Sequence, residues 1–385
     1  MHATTVVGLQ YGDEGKAKIV DVLARSFEKN WDGVNIIRYN GAGNAGHTIL
    51  VDTDKFICHQ LPSGVLIKNS KLFISRGCAI DLEQTDKELM EAYEIRKKRF
   101  KTSKVELFID SQTPILFPFH IEEDKEFFQK KIGTTARGNG PAFSDFFART
   151  SILAGDFENV AAVKEKLEFV LELKAKLLGN RNLKFDKELF INKIYEFIGS
   201  HNITVTSFKR NLEIFNEFPI IFEGAQGYQL DIYGENYPFV SSSTSSPLQA
   251  QISTGIRSNT NIGVFKPYIT YVGEDEFFEY SPRESEQIRN TAGEFGATTG
   301  RPRRCGYLNM VELQHAVNDY NIHTLAITKI DIVDDLMKQG FEFRMITENG
   351  VEVLPKNYIR FIEDYLDVPI RYSSYGPKRE QTLII

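Results

Sequence analysis

Short runs of branched apolar residues, each closed by a glycine-containing turn, recur at residues 4–8, 34–41, 72–77, 105–109, 219–224 and 324–328. They are apolar at consecutive rather than alternate positions, which predicts strands buried on both faces, the habit of a largely parallel sheet. Between them the period becomes helical. After Lys18, residues Ile19, Val20, Leu23 and Phe27 recur at helical spacing. Residues 159–178 predict a helix with Val160, Val163, Leu167, Val170, Leu171 and Leu177 on one face, and 187–198 a second with Leu189, Ile194 and Phe197 inward. The span from about 155 to 215 therefore reads as a helical insertion. The tail 357–385 adds one helix and a final strand. With no linker or repeat between them, the elements predict one α/β domain over residues 1–385, built on a mostly parallel central sheet with helical insertions.

Composition narrows the partners. A net charge of −6, with 42% hydrophobic and 25% charged residues, is ordinary soluble composition and gives no basic track for nucleic acid. No apolar run approaches the roughly 18 residues of a membrane span, and the chain enters its first strand with no leader-like segment. Cys58, Cys78 and Cys305 show neither metal spacing nor a pairing pattern, which predicts free thiols in a reduced, cytoplasmic setting.

The chemistry begins at residues 8–21, GLQYGDEGKAKIVD. Strand, glycine-rich turn and helix follow in the order a phosphate-binding loop requires. Amides of Gly12 and Gly15, with the helix N-terminus behind them, can face an anion. The standard nucleotide loop is nevertheless not met, because Gln10 stands at its first glycine and Ala17 follows Lys16. A carboxylate, Asp13, sits inside the turn instead. Five further segments carry glycines and polar residues at strand ends, where open α/β sheets bind ligands. They are Asn44-Ala45-Gly46-His47-Thr48, Gly133 to Gly138, Glu223 to Gly227, Ala297 to Arg304, and Thr328-Lys329-Ile330-Asp331. Taken alone, Asp331 equally suits a cap at a helix start, and His47 a structural histidine. The serines 241–246 alone would suit a flexible linker.

Together, and in this order, the six segments resemble the adenylosuccinate synthetase family. His59 to Gly64 and Ser374-Tyr375-Gly376-Pro377 also match its pattern, so the resemblance covers nearly the whole chain. It implies a single large α/β domain acting as a homodimer, a ligase of purine biosynthesis joining L-aspartate to C6 of inosine monophosphate while GTP becomes GDP. By the same resemblance, Asp13 is the base that takes the N1 proton, His47 a donor to O6 and the moving phosphoryl group, and Lys16 a partner of phosphoryl charge. Mg²⁺ would lie on Asp13 and the Gly46 carbonyl. The triphosphate would meet Gly12, Glu14, Gly15, Lys16, Ala17, Lys18, Gly46, His47, Thr48 and Arg303, and its guanine Lys329, Asp331, Ser374, Tyr375 and Gly376. The monophosphate falls to Asp13, Asn44, Ala45, Thr134, Thr135, Gln226, Ser241 and Arg301, with Arg149 reaching in from the partner subunit. Aspartate falls to Thr298, Thr299, Gly300, Arg301 and Arg303.

The chain departs from the family at the site. Ala17 replaces a glycine, Tyr11 a tryptophan, Asn139 an aliphatic residue and Ser241 a threonine. After Tyr271-Val272-Gly273, residues Glu274 to Phe278 replace a glycine and proline segment, which leaves recognition of the ribose open. A second reading within the same fold follows: viral relatives join aspartate to guanylate or deoxyguanylate, often with ATP. Many of these carry a small residue in place of the catalytic aspartate, so Asp13 favours inosine monophosphate, and Asp331 favours GTP. A GTP-binding module without ligase activity is the reading from another class. It would need no aspartate site.

Overall fold

The computed structural model describes residues 2–51, 54–102, 104–179, 185–273, 276–296 and 300–385. Its centre is a ten-stranded sheet. In spatial order the strands are Thr382–Ile384, Ile370–Ser374, Thr324–Ile327, Thr260–Phe265, Ala3–Gly8, Ile220–Glu223, Val34–Arg38, Ser70–Ile74, Glu106–Asp110 and Ile203–Thr206. Every neighbouring pair is parallel except the first. The six apolar runs all lie in this sheet, with their ends shifted by a few residues.

Why consecutive positions are apolar is visible in the layers. Val6 joins the core on one face and Val7 the core on the other, and Ile36 with Ile37, Leu72 with Phe73, and Val264 with Phe265 divide the same way. Helices Lys16–Trp31, Leu82–Phe100, Val160–Leu177 and Lys187–Ser200 cover the first face. Helices Pro282–Ala292, Met310–Asp319, Ile330–Lys338 and Tyr358–Leu366 cover the second. All three cysteines are buried and unpaired.

Four details differ from the sequence pattern. The helix Val160–Leu177 buries Val163, Leu167, Val170 and Lys174, whereas Val160 and Leu177 are exposed. A lysine fits that stripe because its amine reaches Glu123 at 2.7 Å and Asp145 at 2.6 Å, so the charge is paired rather than solvated. In the next helix Phe190 and Ile191 turn inward and Leu189 outward. The span 155–215 also contains the edge strand Ile203–Thr206, and the central strand Thr260–Phe265 gave no clear apolar run. Asn261 interrupts it to bond the carbonyls of Tyr320 and Asn321, and Gly263 interrupts it because a Cβ there would lie 2.5 Å from Leu9.

Candidate active site

Because the strands are parallel, their carboxyl ends share one edge of the sheet, and the glycine-bearing segments follow them there. After Ala3–Gly8 the chain turns through Gly12, Asp13 and Gly15, whose φ values of 86°, 59° and 93° are left-handed. Glycine meets that demand at two positions; Asp13 bears it without a Cβ-free backbone. Glu14, expected on the triphosphate, turns its carboxylate inward instead. It accepts from the amides of Gln10 and Gly12 at 3.1 and 2.9 Å, and from the Lys16 amine at 2.5 Å. The loop is thus shaped from within by a fully buried carboxylate. Asp13, by contrast, is 41% exposed, and one carboxylate oxygen meets Arg303 Nη2 at 2.9 Å.

A cavity of about 330 Å³ opens beside this loop, lined by Asn44, Thr134, Thr135, Gln226 and Ser241 among others. Five residues assigned to the monophosphate therefore converge from four separate segments. Gln226, with φ 61°, donates from its amide to Asn44 Oδ1 at 3.0 Å, while its own Oε1 is buried without a partner among the described residues. Gly12 packs against the Gln226 backbone, which sets the Asp13 turn at the cavity's margin. Asp124 fixes the opposite wall, accepting from Thr134 Oγ1 at 2.6 Å and the Gly138 amide at 2.8 Å. Asp231 orders the serine stretch: its carboxylate accepts from Thr244 Oγ1, the amides of Ser245 and Ser246, and Tyr320. One buried acceptor with that many donors turns a linker-like composition into a fixed loop.

The departures also cohere. Tyr11 packs on Tyr271 with ring centroids 4.7 Å apart and on Phe277 at 6.0 Å, and Tyr271 lines the cavity. Asn139 lines it too, with its Oδ1 buried and unpartnered among the described residues. Ala17 is buried in the first turn of helix Lys16–Trp31. Glu274 and Asp275 lie outside the described residues.

His47 opens the strand His47–Val51, with Thr48 exposed after it. Its Nδ1 is hydrogen-bonded to the buried carboxylate of Glu223. Glu223 also accepts from the Ser63 amide at 2.7 Å and from the Ser63 hydroxyl. Burial pulls the imidazole below its ordinary value while Glu223 opposes that pull. Burial alone would raise Glu223, but His47 and the neighbouring Arg38 hold it below the usual carboxylate range. Arg38 stands opposite Glu223 in the sheet register. The preceding loop is pinned where His59 Nδ1 meets the Ala45 carbonyl at 2.7 Å.

A second grouping forms where Ile370–Ser374 and Thr324–Ile327 end. Lys18 Nζ donates to Ser374 Oγ at 2.6 Å and to the carbonyls of Gly376 and Gln381 at 2.5 and 3.0 Å. Burial lowers its amine to about 8, against the opposing charges of Asp331, Glu380 and Asp21. Lys329 precedes helix Ile330–Lys338 with φ 62°, and its amine reaches the Ala292 carbonyl at 2.7 Å. Asp331 lies in that helix's first turn, but Oδ1 is buried without a partner among the described residues, so this oxygen caps nothing.

Arg303 is buried and Arg301 exposed, while Thr298 and Thr299 lie outside the described residues. Arg149 is exposed just past helix Asn139–Ala148, apart from the cavity's lining.

Likeness to known proteins follows the same residues. The sequence model of adenylosuccinate synthetase matches residues 5–346. The chain belongs to the adenylosuccinate synthetase family. It is 35% identical to the adenylosuccinate synthetase of Aquifex aeolicus, the match covering 99% of this chain and 96% of that one. Against the enzyme of Thermodesulfovibrio yellowstonii it is 34% identical, covering 100% and 99%. The fully ligated adenylosuccinate synthetase of Plasmodium falciparum superposes with a TM-score of 0.86 at 27% identity over all of both chains. The fold is also that of a cyanophage S-2L succinoaminodeoxyadenylate synthetase solved with dGMP and dATP, with a TM-score of 0.69, 16% identity, and 100% and 95% coverage. As a member of the family the chain is a carbon–nitrogen ligase of purine nucleotide synthesis. Among the described residues no helix is long and apolar enough to cross a membrane.

Some members of the site carried no separate signal in the sequence. Glu223 and Ser63 lay inside noted segments without a role of their own, and Asp124 and Asp231 carried no signal. Their partners stand far off in the chain, and no local spacing announces such pairs.

Proposed function

We propose that this adenylosuccinate synthetase family member joins L-aspartate to C6 of inosine monophosphate, with GTP giving GDP and phosphate. The observation that carries the reading is Asp13, a half-exposed carboxylate in a phosphate loop at the margin of the Gln226 cavity. A 6-oxopurine has no leaving group at C6, so its oxygen must first be phosphorylated. Asp13 takes the N1 proton, and the resulting charge on O6 attacks the γ-phosphoryl group. The aspartate amine then adds at C6 and phosphate departs. His47 steadies O6 and the phosphoryl oxygens, and Glu223 orients its ring. The Asp331 Oδ1, without a partner among the described residues, supports guanine in the donor, whose N1–H and 2-amino group form a matching donor pair.

Magnesium suits this donor set. It is usually held by one or two carboxylates together with substrate phosphates rather than by a cage, and among the described residues no group of three or more His, Cys, Asp or Glu could form one. Asp13 and the Gly46 carbonyl would hold Mg²⁺, which would offset phosphoryl charge.

A homodimer completes the reading. Phe147, Tyr233, Leu248 and Ile252 are all more than half exposed and line a second cavity beside Arg149's helix. Such an apolar patch favours a second copy of the chain, carrying Arg149 towards the partner's monophosphate.

The deciding assay offers aspartate and Mg²⁺ with inosine, deoxyinosine, guanosine or deoxyguanosine monophosphate, against GTP or ATP. Inosine monophosphate with GTP should give the fastest succinylated product. Faster turnover of deoxyguanylate would overturn the assignment.

Lys18 adds a pH signature. Its amine sits at about 8, below an ordinary lysine, so its charge is lost as pH rises through that value. Triphosphate binding favours the charged form and should take up most of one proton at about pH 8.5 and almost none at about pH 6.5. Calorimetry in buffers of different ionisation heat measures this, and Lys18→Met should abolish it. No uptake in the native enzyme would remove Lys18 from the triphosphate site.

A further inference from the structure

The stem of the loop between Glu294 and Arg303 is locked twice. The Arg303 amide donates to the Glu294 carbonyl at 3.1 Å, and Arg303 Nη1 meets Glu294 Oε2 at 2.5 Å. The other oxygen of Glu294 accepts from Tyr268 at 2.8 Å and Lys266 Nζ at 3.2 Å, and both Lys266 and Glu294 are 1% exposed. Charges therefore alternate along a line, from Lys266 through Glu294 and Arg303 to Asp13. A buried carboxylate with three donors cannot swing, so it fixes the plane of the guanidinium.

That plane leaves one edge half used. Nε and Nη2 of an arginine lie on the same side and together fit a carboxylate with two parallel bonds. In Arg303, Nη2 is on Asp13, while Nε is buried without a partner among the described residues. Asp13 thus meets the edge through one ion contact at Nη2. A carboxylate arriving from a substrate can take both donors.

We propose that Glu294 is a positioning residue that presents the Nε/Nη2 edge of Arg303 to a carboxylate of the amino-acid substrate, and that this carboxylate displaces Asp13 from Nη2 and frees it. The inference rests on the reading of Asp13 as the base. The first chemical step is then coupled to occupancy of the amino-acid site, which restrains phosphoryl transfer when nothing can consume the product.

Succinate, a dicarboxylate without an amine, separates the two effects. In the native enzyme with inosine monophosphate, GTP and Mg²⁺, reversible phosphoryl transfer scrambles the oxygen bridging the β- and γ-phosphorus atoms. Succinate should speed that scrambling by about tenfold, an ordinary size for coupling between sites. In Glu294→Gln the stimulation should vanish and the KM for aspartate should rise about tenfold, with KM values for both nucleotides within about twofold. A merely structural role would lower the rate with and without succinate alike. Scrambling in the native enzyme that ignores succinate overturns the proposal without any variant, as does native stimulation in Glu294→Gln. Failure of the Asp13 reading shows separately, as scrambling that persists in Asp13→Ala.

Discussion

Asp13→Ala should lower kcat by roughly 10²- to 10⁴-fold, the range for a positioned general base, and leave nucleotide affinities within a few-fold. The loss is expected to be chemical rather than structural. The side chain is 41% exposed, pairs with Arg303 among the described residues, and belongs to neither core, so its removal opens no cavity there. The turn is shaped by Glu14, not by Asp13, and should survive the change. Arg303 keeps its bond to Glu294. Rapid-quench measurement of the first phosphoryl transfer, with monophosphate binding by calorimetry, checks both halves. Near-native turnover, or a collapse of binding that matches the loss of rate, would sink the assignment of Asp13 as base.

Glu223→Gln should cost roughly 10²-fold in kcat, the size seen when one donor to a developing oxyanion is impaired. The amide oxygen of glutamine can still accept from His47 Nδ1, so the ring keeps its place and what is lost is charge. To donate to O6, the ring must carry a proton on Nε2 as well as on Nδ1. Burial opposes that second proton and Glu223 favours it. Neutralising Glu223 lowers the imidazole further, so the donor form is lost at a lower pH than in the native enzyme. The alkaline limb of the kcat profile should move to lower pH, while the KM for aspartate stays close to native. An unchanged limb with reduced kcat would leave Glu223 only a packing role for Ser63 and the strand end.

Much of the fold was legible because its signals are local. A strand buried on both faces is apolar at every position, and that run survives at the six places where it was expected. The strand Thr260–Phe265 was lost to the same logic: Asn261 and Gly263 are chosen by Tyr320, Asn321 and Leu9, not by their own neighbours. Helix faces failed similarly where Lys174 replaced an apolar residue, because Glu123 and Asp145 wait for it across the packing.

By itself the sequence determined an α/β chain, a glycine-rich strand-to-helix turn holding an unexpected carboxylate, and the polar segments at the strand ends. These depend on periods of a few residues and on motifs whose members touch within one turn. Only the tertiary structure decided what each group faces. Glu223 meets His47 across 176 positions, and Thr328 meets Glu14 across 314, because strand order and register bring those ends together. The same holds for Asp13, whose carboxylate is named by its loop but whose partner, Arg303, is set by a stem anchored on Glu294. A chain can spell a candidate base locally; the charge set beside it comes from whichever distant segment the sheet places alongside.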